Sequence, residues 1–214
     1  MIEIGTGDFR KLSNELADGS IDLVLTDPPY PKEFLPLWAD LARVSARVLK
    51  PGGFLVAYSG QLYLRDVMTM LDEHLTYYWL GGLRHNGPKG MVWARKVLNA
   101  MKPILVYAKE PIRKQPQTFI DLVDSQIQSK RFHEWGQSVS PVMCLLDAFT
   151  VEGDLVLDPF LGGGTTAVAC LQTGRDCIGY EIDPAMADEA RGRLADAQLP
   201  LFVPVPQQCQ LELA

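Results

Sequence analysis

The segment from residue 155 to residue 166 reads Leu155-Val156-Leu157-Asp158-Pro159-Phe160-Leu161-Gly162-Gly163-Gly164-Thr165-Thr166. It places an apolar strand, an acidic residue, a glycine cluster and the start of a helix in immediate succession. In open α/β sheets, ligands bind outside the carboxyl ends of the strands at such turns. Glycines let the backbone approach a ligand closely, and the free N–H groups of the following helix favour a negative group. The segment therefore predicts a ligand site at the end of a parallel strand.

An acidic residue follows this cluster at the spacing expected of a ribose ligand. Glu181 ends the next predicted strand, 19 positions after Gly162, and carboxylates that bind ribose hydroxyls stand about 20 residues on. A Walker loop needs a lysine where Thr165 stands, and a dinucleotide fingerprint needs a glycine at Ala167. The spacing favours an adenosine-containing cofactor; the alternative is a glycine-rich connection with no chemical role.

Outward from this segment, strand and helix patterns alternate along the chain. Strands are predicted at Ile2–Ile4, Ile21–Thr26, Phe54–Tyr58, Leu75–Leu80, Ile104–Ala108, Leu155–Leu157 and Cys177–Glu181. Helices are predicted at Phe9–Ala17, Phe34–Leu49, Gln61–Glu73, Ser140–Thr150, Thr165–Thr173 and Ala185–Ala195. This alternation predicts an α/β fold with a doubly wound, mostly parallel sheet and helices on both faces.

The composition excludes several classes of protein. With 214 residues, 47% hydrophobic and 21% charged, the chain suits one globular domain and neither a disordered chain nor a membrane bundle. No apolar run is long enough to span a bilayer, and the N-terminus has no signal-peptide pattern. The four cysteines show no Cys-x-x-Cys spacing, which argues against a zinc ribbon and for a reducing compartment. We therefore expect a cytoplasmic protein without a metal site.

The charge is unevenly distributed. The net charge is −6, yet the segment 81–132 holds ten cations and three anions, so it carries +7 and the remainder −13. A basic insert in an acidic scaffold is typical of a surface that binds a polyanion, but an ordinary solvated loop explains the charge equally well.

A second motif, Thr26-Asp27-Pro28-Pro29-Tyr30, also follows a buried strand. The two prolines fix the backbone and remove two N–H donors, which leaves carbonyl groups beside the Asp27 carboxylate. These acceptors can bind an amino group, and the Tyr30 ring can stack on a planar ring conjugated to it. The alternative is a plain strand terminator.

Together the two motifs resemble those of the DNA amino-methyltransferases that use S-adenosylmethionine. Their order, with the Asp27 motif before the Asp158 motif, resembles the circularly permuted beta group of that family. The resemblance implies a seven-stranded methyltransferase sheet, opened at a different loop, with an antiparallel last strand at Lys102–Lys109. It covers nearly the whole chain.

The resemblance also implies roles for individual residues. The residues expected to bind the target amine and base are Asp27, Pro28, Pro29 and Tyr30. Those expected to bind S-adenosylmethionine are Asp8, His133, Gln137, Ser138, Asp158, Pro159, Phe160, Gly162, Gly164, Thr165 and Glu181. Ser138 departs from the family pattern, since a lysine commonly stands there and would neutralise the cofactor's carboxylate. For Asp8, a helix cap before Phe9 is an equal alternative.

The resemblance implies methylation of the N6 amine of an adenine that is flipped out of DNA. The residues expected to grip DNA are Arg84, Lys89, Trp93, Arg95 and Lys96. The chain is predicted to divide into a catalytic half (1–80), a small recognition insert with one sheet strand (81–132), a cofactor-binding half (133–198) and a loosely ordered tail (199–214). A restriction-modification context, a bacterial or phage source and a possible homodimer are further expectations.

Two other functions stay open. Methylation of the N4 amine of cytosine would use the same acceptors, although the cytosine enzymes more often resemble Ser-Pro-Pro-Tyr, which makes Asp27 favour adenine. From a different class, the chain could be a decayed methyltransferase that binds nucleic acid or cofactor without turnover.

Overall fold

The computed structural model describes residues 1–85, 89–125 and 139–197. Its ten strands are β1 (Ile2–Thr6), β2 (Ile21–Thr26), β3 (Leu49–Tyr58), β4 (Thr76–Arg84), β5 (Gly90–Val92), β6 (Val97–Asn99), β7 (Met101–Ala108), β8 (Leu122–Asp124), β9 (Leu155–Asp158) and β10 (Asp176–Glu181). Its α-helices are α1 (Phe9–Leu12), α2 (Pro36–Val48), α3 (Leu64–Asp72), α4 (Ser140–Phe149), α5 (Thr165–Gln172) and α6 (Pro184–Asp196).

Eight strands form one sheet in the order β1-β10-β9-β2-β3-β7-β4-β8. All neighbouring pairs are parallel except those of β7, which runs antiparallel to both β3 and β4. The doubly wound, mostly parallel sheet with one antiparallel strand is confirmed. Strand β9, which leads into the glycine-rich loop, lies between β10 and β2 although it comes ninth along the chain.

Helices cover both faces of the sheet, and each face has its own apolar core. One core includes buried residues of α4 and α5, such as Leu146 and Ala169, packed against Val156. The other includes Trp38 of α2 and Val67 of α3, packed against Leu55. The central strands are buried from both sides, which explains why runs within them, such as Leu23–Leu25 and Phe54–Ala57, are continuously apolar.

The strand count differs from the predicted seven because a three-residue strand, β8, extends the sheet. It pairs in parallel with the end of β4, where Leu83 is opposite Val123. Such a short strand has too few residues to show an alternating pattern. The range 81–132 was predicted to hold one sheet strand; it holds β7, β8 and the last residues of β4, which runs on to Arg84. The predicted tail, 199–214, lies outside the described residues.

The first predicted helix is also shorter than its pattern. It stops as an α-helix at Leu12, and residues Ser13–Glu15 form a 3-10 turn. Arg47 explains the early end, since its guanidinium donates to the carbonyl oxygens of Ser13 (2.6 Å) and Leu16 (2.8 Å). These bonds satisfy carbonyl groups that a continuing helix would have used.

None of the helices in the described ranges is long and apolar enough to cross a membrane.

Candidate active site

The Asp27 and Asp158 motifs lie side by side at one edge of the sheet. Strands β2 and β9 are paired neighbours, with Val24 opposite Leu157, so both motifs leave the sheet at adjacent points. The Thr26 hydroxyl donates a 2.7 Å hydrogen bond to Oδ1 of Asp158 and ties the two strand ends together. The two motifs therefore lie next to each other at the carboxyl ends of neighbouring strands.

Both motifs line one cavity of about 680 Å³. Its walls combine the end of β2, the glycine-rich loop and one face of α6. The lining residues are Leu25, Thr26, Asp27, Tyr58, Val142, Asp158, Phe160, Leu161, Gly162, Gly163, Thr165, Thr166, Met186, Glu189 and Arg193.

The Asp27 carboxylate is held by two donors. The Tyr30 hydroxyl donates to Oδ1, and Nζ of Lys102 donates to Oδ2 at 2.8 Å. Pro28 is buried while Asp27 stays exposed, so the turn presents the carboxylate outward. Burial, reinforced by the Asp27 charge, raises the pKa of Tyr30 above its ordinary value, and its hydroxyl therefore stays protonated and able to donate.

Lys102 completes this site although its sequence pattern did not mark it as a site residue. Its ammonium lies 5.2 Å from the ring centroid of Tyr30 and 5.3 Å from that of Tyr58. The available signal was topological. An antiparallel strand begins at the edge where its parallel neighbours end, so a lysine near the start of β7 belongs to the site edge.

Asp158 is almost fully buried, and its carboxylate supports the loop that follows it. Oδ1 accepts hydrogen bonds from the Thr26 hydroxyl and from the Phe160 N–H group (3.1 Å). Burial raises the pKa of Asp158 to about 6, an effect that hydrogen bonds from Thr166, Thr26 and Phe160 partly offset. A buried carboxylate of this kind braces the turn and contributes a negative group to the cavity.

The raised pKa predicts a pH-dependent contribution to stability. The folded protein favours protonated Asp158, so this contribution is complete below pH 3.8 and is lost as the pH rises through about 6. Asp158→Asn keeps an acceptor oxygen but carries no charge. We expect it to exceed the parent protein in free energy of unfolding by about 3 kcal/mol above pH 6, and to match it near pH 4. Urea unfolding at both pH values checks this; a pH-independent difference would contradict it.

Glu181 binds the glycine-rich loop directly. Oε2 accepts the Gly162 N–H group at 2.8 Å, and Oε1 accepts the Asp183 N–H group at 2.9 Å. The Arg193 guanidinium holds the other side of the loop by donating to the Gly163 carbonyl oxygen. A Cβ atom built at Gly162 would meet no other atom within 4 Å, so the loop leaves open space beside these groups.

The close packing of Gly164 predicts a large loss of stability on substitution. Gly164 has φ +83°, and an added Cβ would lie 2.9 Å from Cβ of Ala190 on α6. Gly153 has nearly the same φ, +86°, with no other atom within 4 Å, and is a matched control. We expect Gly153→Ala to lower the free energy of unfolding by about 1 kcal/mol and Gly164→Ala by about 3 kcal/mol. Equal losses in urea titrations would show that the contact with α6 is unimportant.

The remaining predicted cofactor residues have different positions. Phe160 lines the cavity and packs on Phe9 with ring centroids 4.9 Å apart; Pro159 lies in the turn just before it. Asp8 caps α1, accepting the Arg10 N–H group at 2.9 Å and pairing with the Arg10 guanidinium. That guanidinium lowers the pKa of the Asp8 carboxyl. His133, Gln137 and Ser138 lie outside the described residues.

The predicted DNA-binding residues are mostly on a hairpin apart from the main sheet. Strands β5 and β6 pair with each other as a separate two-stranded sheet, and Trp93–Arg95 form a 3-10 turn between them. Trp93 is 81% exposed at this turn, and Lys89 and Lys96 are exposed on the same segment. Arg84 differs, because its guanidinium pairs with Asp124 at 2.7 Å.

A second cavity, of about 440 Å³, separates the hairpin from the Asp27 motif. Tyr30, Gly60 and Arg95 are among its lining residues. Gln61 ties its two sides together, since Nε2 donates to Oδ1 of Asn99 at 3.1 Å and to the Met101 carbonyl oxygen at 2.7 Å. The hairpin is thus anchored beside Tyr30. Within the described ranges, no group of three or more His, Cys, Asp or Glu side chains is arranged to hold a metal ion.

Comparison with known proteins gives a consistent result. Residues 141–191 match a family model described as DNA methylase. The type II methyltransferase M.MthZI of Methanothermobacter thermautotrophicus is 46% identical over 263 aligned residues, covering 85% of this chain and 73% of M.MthZI. The putative methylase YubD of Escherichia coli is 26% identical, covering 90% of this chain and 89% of its own.

Solved structures share the fold. TTHA0409 of Thermus thermophilus, described as a putative DNA modification methylase, has a TM-score of 0.77 at 23% identity; the match covers 94% of this chain and 97% of TTHA0409. TTHA0409 has also been solved in complex with S-adenosyl-L-methionine. The cytosine-N4-specific PvuII DNA methyltransferase has a TM-score of 0.75 at 20% identity, covering 97% of this chain and 89% of its own.

Proposed function

The chain belongs to the N6/N4 family of DNA methyltransferases, and from that premise we propose that it transfers a methyl group from S-adenosylmethionine to the exocyclic N6 amine of adenine in DNA. The observation that carries the proposal is the single cavity lined by both Asp27 and the loop at Asp158. A donor and an acceptor must meet within a few ångströms for a methyl group to pass directly between them. The hydrogen bond from Thr26 to Asp158 fixes the two motifs at that proximity.

The residues of the glycine-rich side fit S-adenosylmethionine. The open space at Gly162 and the adjacent Glu181 carboxylate provide a backbone cradle and an acceptor for ribose hydroxyls. Ile182, 68% exposed beside Glu181, offers an apolar surface for an adenine ring. The bound cofactor supplies an activated methyl group on its sulfonium.

The Asp27 side fits the acceptor amine. Its carboxylate and the Pro28 carbonyl accept hydrogen bonds from the amine, and so orient the nitrogen lone pair and stabilise positive charge that develops there. Tyr30 stacks on the base and, through its hydroxyl, fixes the Asp27 carboxylate. The two acceptors thus bind the amino group, and the Tyr30 ring stacks on the base that carries it.

A base inside a duplex cannot reach this cavity, so it must be flipped out of the stack. The hairpin with Trp93, Arg95 and Lys96 is positioned to contact the phosphates around the extruded nucleotide. Its exposed tryptophan suits stacking on an unpaired base. The proposed partner of the protein is therefore DNA. The proposed place of action is the cytoplasm of a bacterial or archaeal cell. A homodimer stays a prediction.

Cytosine N4 is the second candidate target, because the PvuII enzyme shares this fold and the same acceptors serve either amine. Asp27 favours adenine, since Asp-Pro-Pro-Tyr resembles the motif of adenine enzymes. A binding module without turnover is less well supported, because Asp27, Tyr30 and Glu181 are all present and in contact with partners.

One experiment separates these candidates. The protein is incubated with tritium-labelled S-adenosylmethionine and unmethylated plasmid DNA, and the DNA is digested to nucleosides for mass spectrometry. We expect label in N6-methyldeoxyadenosine. Label in N4-methyldeoxycytidine would move the assignment to cytosine, and cofactor binding without any transfer would identify a binding module. Single-molecule sequencing of the same DNA would give the sequence context.

A further inference from the structure

Lys102 contacts the Asp27 carboxylate, which the proposed reaction needs for the target amine. Its ammonium donates to Oδ2 of Asp27 at 2.8 Å and lies over the rings of Tyr30 and Tyr58. A carboxylate flanked by aromatic faces attracts N–H donors and positive charge. The target amine is itself an N–H donor that becomes positive during transfer. Lys102 therefore uses the same acceptor that the amine must use.

The lysine charge opposes the chemistry if it stays in place. Positive charge on the attacking nitrogen and on the methyl donor would lie close to the ammonium in a partly buried site, where like charges repel more strongly than in water. The Asp27 carboxylate and the Pro28 carbonyl therefore stabilise the transition state best when Lys102 no longer contacts Asp27. Lys102 can leave, because its side chain is flexible and 22% exposed.

A departing lysine needs a new anionic partner, because an unpaired charge in a partly buried site is unfavourable. The extruded nucleotide brings such a partner with it, since its own phosphates must reach the same edge of the sheet as its base. Lys102 also follows the hairpin of β5 and β6 directly along the chain. The segment that grips the backbone and the lysine at the site are therefore continuous.

We propose that Lys102 is a positioning residue that pairs with Asp27 in the free protein and exchanges this partner for a phosphate of the target nucleotide when the base enters. The inference rests on the proposed function. Each charge keeps a partner throughout, so the site opens without leaving Asp27 or Lys102 unpaired. The exchange links release of the acceptor carboxylate to the arrival of DNA rather than to the arrival of cofactor.

The salt dependence of the KM for DNA tests the exchange. The substrate is unmethylated plasmid DNA from a methyltransferase-deficient host, and methyl transfer is measured at several salt concentrations. Loss of one phosphate contact lowers the slope of log affinity against log salt by about 0.9. We expect Lys102→Met to show this loss and a KM for DNA raised about fivefold at about 0.15 M salt. Lys102→Arg keeps a cation and should keep the slope.

Lys50→Met is the matched control. Lys50 of β3 pairs at 2.7 Å with Asp22, which lies on β2 at the opposite end from the site. Removing that pair should change neither the slope nor the KM for DNA. Lys102→Gln serves as a second variant if Lys102→Met melts at a much lower temperature than the parent protein.

The outcomes separate the inference from the function on which it rests. If the parent protein methylates DNA and Lys102→Met keeps the parental salt slope, the inference is overturned, whatever happens to kcat. A lower kcat at an unchanged slope would mean that Lys102 stays on Asp27 throughout the reaction. If the parent protein transfers no methyl group to any DNA, the proposed function fails, and the exchange fails with it.

Discussion

Asp27→Ala is expected to lower the rate of methyl transfer about a thousandfold, while the protein still binds S-adenosylmethionine. The variant loses the carboxylate proposed to accept a hydrogen bond from the amine and to stabilise its developing positive charge, and such preorganised groups typically contribute factors of this size. Single-turnover transfer of labelled methyl groups to plasmid DNA measures the loss, and calorimetric titration measures cofactor affinity.

Two further variants make this result specific. Asp27→Asn keeps the shape of the side chain and one acceptor oxygen, so its rate should fall between those of the parent protein and Asp27→Ala. Asp22→Asn removes a carboxylate that also pairs with a lysine, Lys50, at the other end of β2, and should transfer at the parental rate. Near-parental transfer by Asp27→Ala would remove Asp27 from the mechanism.

Glu181→Ala is expected to weaken binding of S-adenosylmethionine about a hundredfold. The variant loses the charged acceptor proposed for the ribose hydroxyls and the hydrogen bond from the Gly162 N–H group that shapes the loop. Each hydrogen bond to a charged group is worth roughly 1.5 to 3 kcal/mol, which accounts for the size of the effect. The affinity is measured by calorimetry with S-adenosylmethionine, and kcat at saturating cofactor should change far less than the KM.

Glu3→Ala is a suitable control, because it removes a charge of the same sign from the neighbouring strand. Glu3 is exposed on β1. The cofactor affinity of this variant should equal that of the parent protein. If Glu181→Ala instead bound cofactor normally but melted at a lower temperature, Glu181 would be a brace for the loop and not a ribose ligand.

The strands of the sheet and its ligand edge were predictable because their causes are local. A strand buried on both faces is apolar along its buried run, as Leu23–Leu25 is, and a glycine cluster after such a strand marks the ligand edge. The pairing of β2 with β9 is not local, and the structure supplies it. That pairing brings Asp27 next to Asp158.

Other features were not predictable because they depend on contacts between distant segments. Lys102 meets Asp27 across 75 positions of sequence; its place near the start of an antiparallel strand indicates the site edge but not the side chain that it contacts. The early end of α1 depends on Arg47, which belongs to another helix. For Asp8, the sequence left a cap and a cofactor contact equally open, and the structure shows the cap.

The β5–β6 hairpin enters and leaves the main sheet at facing points, because Arg84 of β4 is the paired partner of Met101 of β7. A segment whose two ends are already held together can change length or composition with little effect on the rest of a fold. The hairpin can therefore be exchanged with little effect on the rest of the fold. If it contacts DNA as proposed, its exchange is expected to change the target sequence while Asp27 and Asp158 keep their positions.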